Sequence, residues 1–436
     1  MFKKVIFLVL SCLTSITLLA VQVGNRVAAN AVRLHNDKIY ATGFVNVSGT
    51  RNFILARYNL DGSLDTTFAA PNGYIIPPIA AEANEQIANA LVIQPDGDIV
   101  IGGFTNINNK NHFALLRITS AGTVDPSFGI NGYAITEIHD NASINAITLQ
   151  IRNSSPYILA TGTIIYQGTP VIAVARYTPN GDLDITFGGE SIIRTSDTRQ
   201  VPPPAPNPPP SKAGITITQI GNRATANDMI ITQEDNILIA GMSAVNKEFI
   251  TLVQYNQNGD LDSSFGNNGI TITQTAQDTA AHGVAQQSDG KIVIAGNHAS
   301  NFLLARYTAS GILDSSFGDN GFVLPRIGRR GKFNDLAIFP TNHIIAVGTS
   351  AKTQAVFARF NVNGARNIPF GNNGFIIINN ISKTAVNDVV IQPDNQIVGA
   401  GFICNDLALY RLSVTGALDP SFGETGIVRN PEGTSC

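Results

Sequence analysis

The chain has 436 residues and a hydrophobic fraction of 44%, enough to bury a sizeable core in one large β architecture or in two or three ordinary domains. Charged residues make up only 14%, and no block of like charges is recognised along the chain. The net charge of −3 argues against a nucleic-acid or anionic-membrane partner, because such partners call for clustered Lys and Arg.

The N-terminal segment is typical of an export signal. Lys3 and Lys4 precede an apolar run from Val5 to Ala20, which is short for a membrane span of about 20 residues. We predict that residues 1–23 form a cleaved signal peptide, with an uncleaved membrane anchor as the alternative. The mature protein would then be secreted, periplasmic or exposed at the cell surface, without a further membrane span.

One stretch shows the plan that the rest of the chain repeats. From Asp289 to Gly321 it holds a turn, a β-branched run ending in Gly296, a polar loop, a second apolar run and an L-D-x-x-F-G element. The Phe of that element recurs as Phe68, Phe128, Phe187, Phe265, Phe317, Phe370 and Phe422. Successive spacings are 60, 59, 78, 52, 53 and 52 residues, and the outlier contains a Pro-rich insert at 199–213. Repeats of this length indicate a modular array.

Each copy predicts several short strands, the first three of which we letter a, b and c. Strand a follows a polar residue, and a turn with Asp-Gly or Asn leads into strand b, which runs into a Gly present in every copy. A Gly at a fixed strand position marks a bulge or a close backbone approach. Strand c is the F-x-L-A-R-Y run. The outermost strand is either the L-D-x-x-F-G element or the β-prone run after it.

Seven four-stranded units need protected edges and buried faces, and radial closure provides both. The sequence therefore predicts an all-β fold, a single seven-bladed β-propeller of four-stranded blades, with a linear β-solenoid as the alternative. If the run after each F-G element paired with the following blade, the last run would latch the ring onto blade 1. The predicted blades cover residues 24–80, 81–138, 139–220 with the insert, 221–277, 278–328, 329–381 and 382–430, followed by a tail at 431–436.

The compound pattern resembles the delta-60 repeat family of bacterial exported proteins. Ser288–Gly296 (SDGKIVIAG) and Leu304–Gly318 (LARYTASGILDSSFG) carry the resemblance, which covers essentially the whole mature chain. The resemblance implies a propeller-type repeat scaffold of surface or secreted proteins, with no enzymatic activity and no agreed ligand. Three copies depart from the pattern, with Ala69 after the Phe in the first, Gln254 for the Arg in the fourth and Asn367 for the Asp in the sixth.

A recurring Arg in strand c and a recurring Asp in the next element are the first candidate site residues. They predict one charge-assisted pair across a hairpin of each blade. The pairs are Arg57 with Asp65, Arg117 with Asp125, Arg176 with Asp184, Arg306 with Asp314, and Arg411 with Asp419. Because they recur in nearly every copy, we interpret them as structural, with a ring of binding Arg residues as the alternative.

The polar residue before strand a is the second candidate. In a propeller the first strand lines the central channel, so these residues are expected to ring one mouth of the channel. They are Asn30, Asn89, Asn145, Asn227, His282, Asn334 and Asn387. Two roles are open. The ring holds water, an ion or a polar ligand, or each amide bonds backbone between neighbouring blades, which is the simpler interpretation.

No metal-binding or catalytic pattern is recognised. The His residues are scattered, and the N-G-D-L-D segments at 180–184 and 258–262 lack the full twelve-residue calcium pattern. We predict no enzyme, no cofactor and no resident metal, with calcium as the alternative. After signal removal two cysteines remain, Cys404 and Cys436, which either form a disulfide that pins the tail or stay as free thiols.

The loops between strands b and c vary most between copies and span four to seven residues in this prediction. Loops on a rigid scaffold are where binding usually resides. We therefore predict a monomeric binding or structural module whose protein or glycan partner binds the face with these loops, although drift in solvated loops explains the variation equally well. The alternatives are a propeller hydrolase or lyase that uses the channel mouth, and a lectin-like carbohydrate binder.

Overall fold

The computed structural model describes residues 26–80, 82–188, 193–194, 214–328, 330–350, 354–378, 383–423 and 425–430. All regular secondary structure in these residues is β. No helix within the described residues is long and apolar enough to cross a membrane. The predicted signal peptide, Pro-rich insert and C-terminal tail lie outside the described residues.

Seven sheets follow one another along the chain, and each sheet is one blade. Blade 1 contains β1 (Val27–His35), β2 (Lys38–Val47), β3 (Thr50–Asn59) and β4 (Tyr74–Ile75). Blade 2 contains β5 (Ala83–Ile93), β6 (Ile99–Ile107), β7 (Lys110–Ile118) and β8 (Tyr133–Thr136). Blade 3 contains β9 (Asp140–Arg152), β10 (Ser155–Tyr166), β11 (Thr169–Tyr177), β12 (Ile193–Arg194) and β13 (Ile215–Gln219).

The second half of the ring repeats this order. Blade 4 contains β14 (Arg223–Ile231), β15 (Ile237–Ala244), β16 (Glu248–Tyr255) and β17 (Ile270–Thr273). Blade 5 contains β18 (Thr279–Gln286), β19 (Ile292–His298), β20 (Asn301–Tyr307) and β21 (Phe322–Val323). Blade 6 contains β22 (Gly331–Ile338), β23 (Ile344–Ser350), β24 (Gln354–Phe360) and β25 (Phe375–Ile378). Blade 7 contains β26 (Thr384–Ile391), β27 (Ile397–Ile403), β28 (Asp406–Leu412) and β29 (Ile427–Asn430).

These sheets confirm the predicted seven-bladed β-propeller of four-stranded blades, because the seven a strands contact one another in a closed circle in which β26 meets β1. Blade 3 has one strand more than predicted, since the short β12 pairs in parallel with β13 at its outer edge. The outermost strand, d, is the run after the F-G element. Each d strand pairs within its own blade, so the alternative in which the last run pairs with blade 1 is wrong.

Apolar packing closes the ring instead. Seven clusters of buried side chains each combine residues of two adjacent blades. The cluster between blades 7 and 1 includes Leu409 and Phe422 on one side and Val32 and Tyr58 on the other. Burial of each large apolar side chain contributes about 1.5–3 kcal/mol. The closing interface thus buries apolar side chains of both blades, as the other six interfaces do.

The connections between strands b and c are shorter than predicted. In blade 5, β19 continues to His298 and β20 begins at Asn301, so the predicted loop of 297–301 is a two-residue turn. The polar composition of these segments favoured a loop, but cross-strand pairing extends through them. These turns lie on the same face as the connections between blades, which we call the b–c face, and the turns between strands a and b lie on the opposite a–b face.

A β-bulge in every a strand explains the Gly in strand b. The register shifts at the polar residue before strand a, for example at Asn334 between Phe333 and Asp335. The bulge brings the carbonyl oxygen of Lys332 to 2.0 Å from the place of a Cβ on Gly348. The equivalent glycines, Gly43, Gly103, Gly162, Gly241, Gly296 and Gly401, are equally crowded. This confirms the close backbone approach, because no side chain fits there.

The recurring Arg contacts three groups at once. In blade 5, Arg306 Nε donates to Asp314 at 2.9 Å, and the guanidinium lies 4.7 Å from the ring centroid of Phe317. Its Nη1 also donates to the carbonyl of Val362 in blade 6, at 2.5 Å. The same set of contacts occurs at Arg57, Arg117, Arg176 and Arg411. Each of these Arg residues thus holds its own hairpin and bonds the next blade.

The pKa of each of the paired carboxyl groups is lowered from its ordinary value. Burial acts to raise the pKa of Asp314, but hydrogen bonds from Ser316 and the Arg306 charge outweigh it and lower the pKa to about 2. A carboxyl group with a lowered pKa in the folded state stabilises the fold above its ordinary pKa of about 4. That contribution is lost as the pH falls through the lowered value.

The substitution Arg306→Gln tests the bond between blades. Gln can still reach Asp314, but it loses the Val362 carbonyl and the Phe317 ring. We expect the free energy of unfolding to fall by about 1–3 kcal/mol in a denaturant titration. A stability equal to that of the unmodified protein would contradict the structural role.

Blade 4 offers the reciprocal test, because Gln254 replaces the Arg there and bonds only Asp262 of its own blade, at 2.8 Å, among the contacts of the described residues. Gln254→Arg would place a guanidinium over Phe265 and within reach of the Ala309 carbonyl in blade 5. We expect the free energy of unfolding to rise by about 1 kcal/mol. Unchanged or lower stability in the same titration would count against the proposed geometry.

Candidate functional site

The seven polar residues meet in the wall of one central cavity of about 580 Å³. Six Asn side chains donate to a backbone carbonyl of the next blade at 2.6–2.8 Å. The donors and acceptors are Asn30 to Ala88, Asn89 to Ile144, Asn145 to Ala226, Asn227 to Ala281, Asn334 to Val386 and Asn387 to Ala29. The amides are thus engaged in bonds between blades, as in the simpler of the two interpretations.

His282 is the exception in this polar ring. Its Nε2 lies 2.7 Å from Asn297 Oδ1 in its own blade, and Asn297 Nδ2 donates to the Ala299 carbonyl at 3.0 Å. Asn297 Oδ1 is therefore the acceptor, and Nε2 carries the proton. Burial lowers the pKa of His282 to about 4, with the Lys332 charge acting in the same direction. The imidazole is neutral at pH 7, and among the described contacts the ring is open between blades 5 and 6.

Three carboxylates follow the ring residue in blades 4, 6 and 7, and each accepts a backbone N–H from the next blade. Asp228 accepts from Val284 at 2.8 Å, and Asp335 accepts from Val389 at 3.0 Å. Asp388 accepts from Val32 at 2.7 Å and from Arg33 at 2.8 Å. These carboxylates line the central cavity and add further bonds between blades.

Burial raises the pKa of two of these carboxyl groups, so that they are weaker acids than an ordinary Asp. It raises the pKa of Asp228 to about 6. Burial and the adjacent Asp388 carboxylate, to which Asp335 hydrogen-bonds, raise the pKa of Asp335 well above its ordinary value. The raised pKa favours the protonated form of Asp335, which can donate to Asp388.

An acid beside a carboxylate is also the pair that many hydrolases use. Here Asp335 and Asp388 already accept backbone amides, and Asp388 also accepts from Arg33. No group of three or more His, Cys, Asp or Glu side chains within the described residues is placed to hold a metal ion. The hydrogen bonds of these carboxyl groups therefore hold adjacent blades together.

A second cavity, of about 890 Å³, opens on the b–c face over blades 5, 6 and 7, and we call it the mouth pocket. It shares Asn334 and Asn387 with the central cavity, so this part of the polar ring lies between the two spaces. The remaining principal side chains of its wall are Asn297, Ser300, Arg330, Lys332, Thr349 and Phe402.

Sequence reasoning missed the basic segment that reaches this pocket. Arg326, Arg329, Arg330 and Lys332 are four basic residues within seven positions, and Arg329 lies outside the described residues. The conclusion that the chain has no block of like charges is therefore wrong. The overlooked signal is Lys332, which stands where the other blades have small or uncharged residues.

Cys404 lies between strands b and c of blade 7 and is disulfide-bonded. The other two cysteines, Cys12 and Cys436, lie outside the described residues. The pairing of Cys404 with Cys436 therefore stays a prediction.

Removal of one ring amide tests its structural role. Asn145→Ala leaves the Ala226 carbonyl without its partner, and we expect the free energy of unfolding to fall by about 1–2 kcal/mol. Asn72→Ala, at an exposed side chain, is the matched control and should change stability by less than about 0.5 kcal/mol. Equal stability of the two variants in a denaturant titration would exclude the role.

The substitution Asp335→Asn tests the buried acid. The amide can donate to Asp388 and accept from Val389, as protonated Asp335 does. A carboxyl with a raised pKa loses its contribution as the pH rises from about 4 through the folded pKa. We therefore expect the variant to be more stable than the unmodified protein at pH 8, with a smaller difference at pH 5. Denaturant titrations at both pH values measure this, with the exposed Glu137→Gln as control, and an equal difference at both would contradict the assignment.

Five segments of the chain, residues 23–68, 94–128, 158–187, 287–317 and 392–422, match the family model described as "domain of unknown function (DUF5122) beta-propeller". These segments lie in blades 1, 2, 3, 5 and 7, whereas Gln254 and Asn367, two of the departures from the repeat, lie in blades 4 and 6. No curated protein matches the sequence.

Solved structures are similar to this chain over most of its length. Sqt1 from Chaetomium thermophilum is 12% identical, with 93% of this chain and 87% of that chain covered and a TM-score of 0.48. A catalytically inactive virginiamycin B lyase from Staphylococcus aureus, crystallised with quinupristin, is 12% identical, with 88% and 94% covered and a TM-score of 0.46. The matched segments and the seven blades together identify the chain as a β-propeller repeat protein.

Proposed function

We propose that this protein is an exported, non-enzymatic binding scaffold whose protein or glycan partner binds the b–c face at the mouth pocket. The observation that carries the proposal is that the repeated and the non-repeated polar side chains have different contacts. The repeated Arg, Asp and Asn residues bond one blade to the next. The basic residues Arg330 and Lys332, which do not recur, line a large open pocket instead.

Export is supported by the sequence. Lys3, Lys4 and the following apolar run have the composition of a signal peptide. The resemblance to the delta-60 repeat family implies a surface or secreted bacterial protein. The disulfide at Cys404 fits an oxidising compartment, where such bonds persist.

The contacts of the acids support the non-enzymatic part of the proposal. The carboxylates of the central cavity, Asp228, Asp335 and Asp388, accept backbone amides of the next blade. A general acid or base must reach a substrate proton. Groups that hold the ring closed in this way are not free to turn toward a substrate.

A blocking substitution tests the location of the binding site. A thermal-shift screen of the mature protein against glycan fragments and peptides, with and without calcium, identifies a ligand. Ser300→Trp then fills the mouth pocket, and we expect the ligand-dependent shift in Tm to disappear. Ser310→Trp places the same exposed side chain on the a–b face of the same blade and should leave the shift unchanged.

Three outcomes would contradict the proposal. One is a ligand shift that survives Ser300→Trp and disappears in Ser310→Trp. Another is the absence of any shift across the screen. The third is turnover of the ligand by the mature protein, since that would show an enzyme.

A further inference from the structure

We propose that the mouth pocket binds an acidic saccharide, a sugar unit that carries a carboxylate, and that Lys332 and Arg330 pair with that carboxylate. This proposal rests on the proposed function, because both place the ligand on the b–c face. It adds the chemical class of the ligand. Four features of the pocket support this class: the position of Lys332, the unpaired charge, the polar and aromatic lining, and the gap in the ring.

Lys332 occupies a position that is uncharged in the other blades. It stands two residues before the polar ring residue of blade 6. The equivalent residues are Ala28, Ile87, Ser143, Thr225, Ala280 and Ala385. The repeat plan therefore does not need a cation there, and the Lys332 side chain instead lines the mouth pocket.

The positive charge of the pocket has no counterion among the described residues. Elsewhere on the b–c face, Arg51 pairs with Glu85, Lys110 with Asp140, Arg223 with Glu248 and Arg429 with Asp406. Lys332 and Arg330 form no ion pair within the described residues. Although Lys332 is exposed, partial desolvation lowers its pKa, and no carboxylate acts to raise it. An anionic ligand would supply the missing charge.

The rest of the wall suits a sugar. Ser300 and Thr349 offer hydroxyl groups that donate to and accept from sugar hydroxyls. Phe402 adds an aromatic edge against which the apolar face of a sugar ring can pack. The volume of about 890 Å³ lies within the usual range for small-molecule pockets. Nucleic acid would require a longer row of cations than these two.

The gap in the polar ring lies between blades 5 and 6, the same blades over which the mouth pocket opens. His282 turns to Asn297, so no ring amide of blade 5 reaches the Phe333 carbonyl among the described contacts. In blades 1 and 7, by contrast, the equivalent carbonyls of Ala29 and Val386 accept a ring amide. The bond between blades that the other six ring residues form is therefore not made between blades 5 and 6 among the described contacts.

Isothermal titration calorimetry of the mature protein tests the ligand class. The probes are tetrasaccharides of galacturonate, mannuronate and guluronate and a hyaluronan tetrasaccharide, each beside its methyl ester. We expect at least one acid to bind, and its ester to bind at least about tenfold more weakly. Binding of acid and ester with equal affinity, or of none of the acids, would overturn the proposal.

Substitutions locate the interaction. Lys332→Met should weaken binding of the acid by at least about tenfold, and Lys332→Arg should keep it within about threefold. Lys247→Met is the matched control, because Lys247 lies on the b–c face of blade 4 and donates to the Ala276 carbonyl. Unchanged affinity in Lys332→Met would exclude the site.

Two further outcomes separate this site from the proposed function. Tetraglutamate that binds as tightly as the acidic sugar would overturn the saccharide class, since a peptide carboxylate would then suffice. If no acidic sugar binds but a neutral ligand loses binding in Ser300→Trp, the b–c face remains the binding face and the acidic saccharide is excluded.

Discussion

The propeller depends on one constraint: seven blades must close into a ring, and among the described residues no strand is exchanged between the last blade and the first. Every blade must therefore bond its neighbour with groups that its own repeat supplies. The β-bulge in strand a provides the first of these bonds, because it turns an Asn amide toward a carbonyl of the next blade. The strand c Arg provides another at the a–b face, and apolar clusters fill the space between them.

This constraint explains why so many conspicuous residues are structural. The Arg of strand c holds an Asp, a Phe ring and a neighbouring carbonyl in the same geometry in five blades, at both sides of the point where the ring closes. The buried acids also bond neighbouring blades, since Asp388 of blade 7 accepts hydrogen bonds from Val32 and Arg33 of blade 1. A charged or polar side chain that recurs from blade to blade is therefore interpreted first as part of the bonds that close the ring.

The fold was predictable from the sequence because its signals are local and repeated. Gly348 and its six counterparts indicated a close backbone approach, and the structure places each opposite a bulge. The outermost strand was not predictable, because the L-D-x-x-F-G element and the run after it both follow strand c directly. The mouth pocket was not predictable either. It combines residues near 297–300, 330–332 and 402, which only the closed ring brings together.

We propose that the function resides where the blades differ, at the mouth pocket on the b–c face of blades 5 to 7. Hydrogen–deuterium exchange of the mature protein, with and without a saturating acidic saccharide, tests this most directly. We predict added protection in peptides that cover 297–300, 330–332 and 402, with the a–b turns unchanged. Protection spread evenly over the seven blades, or confined to the a–b face, would contradict it.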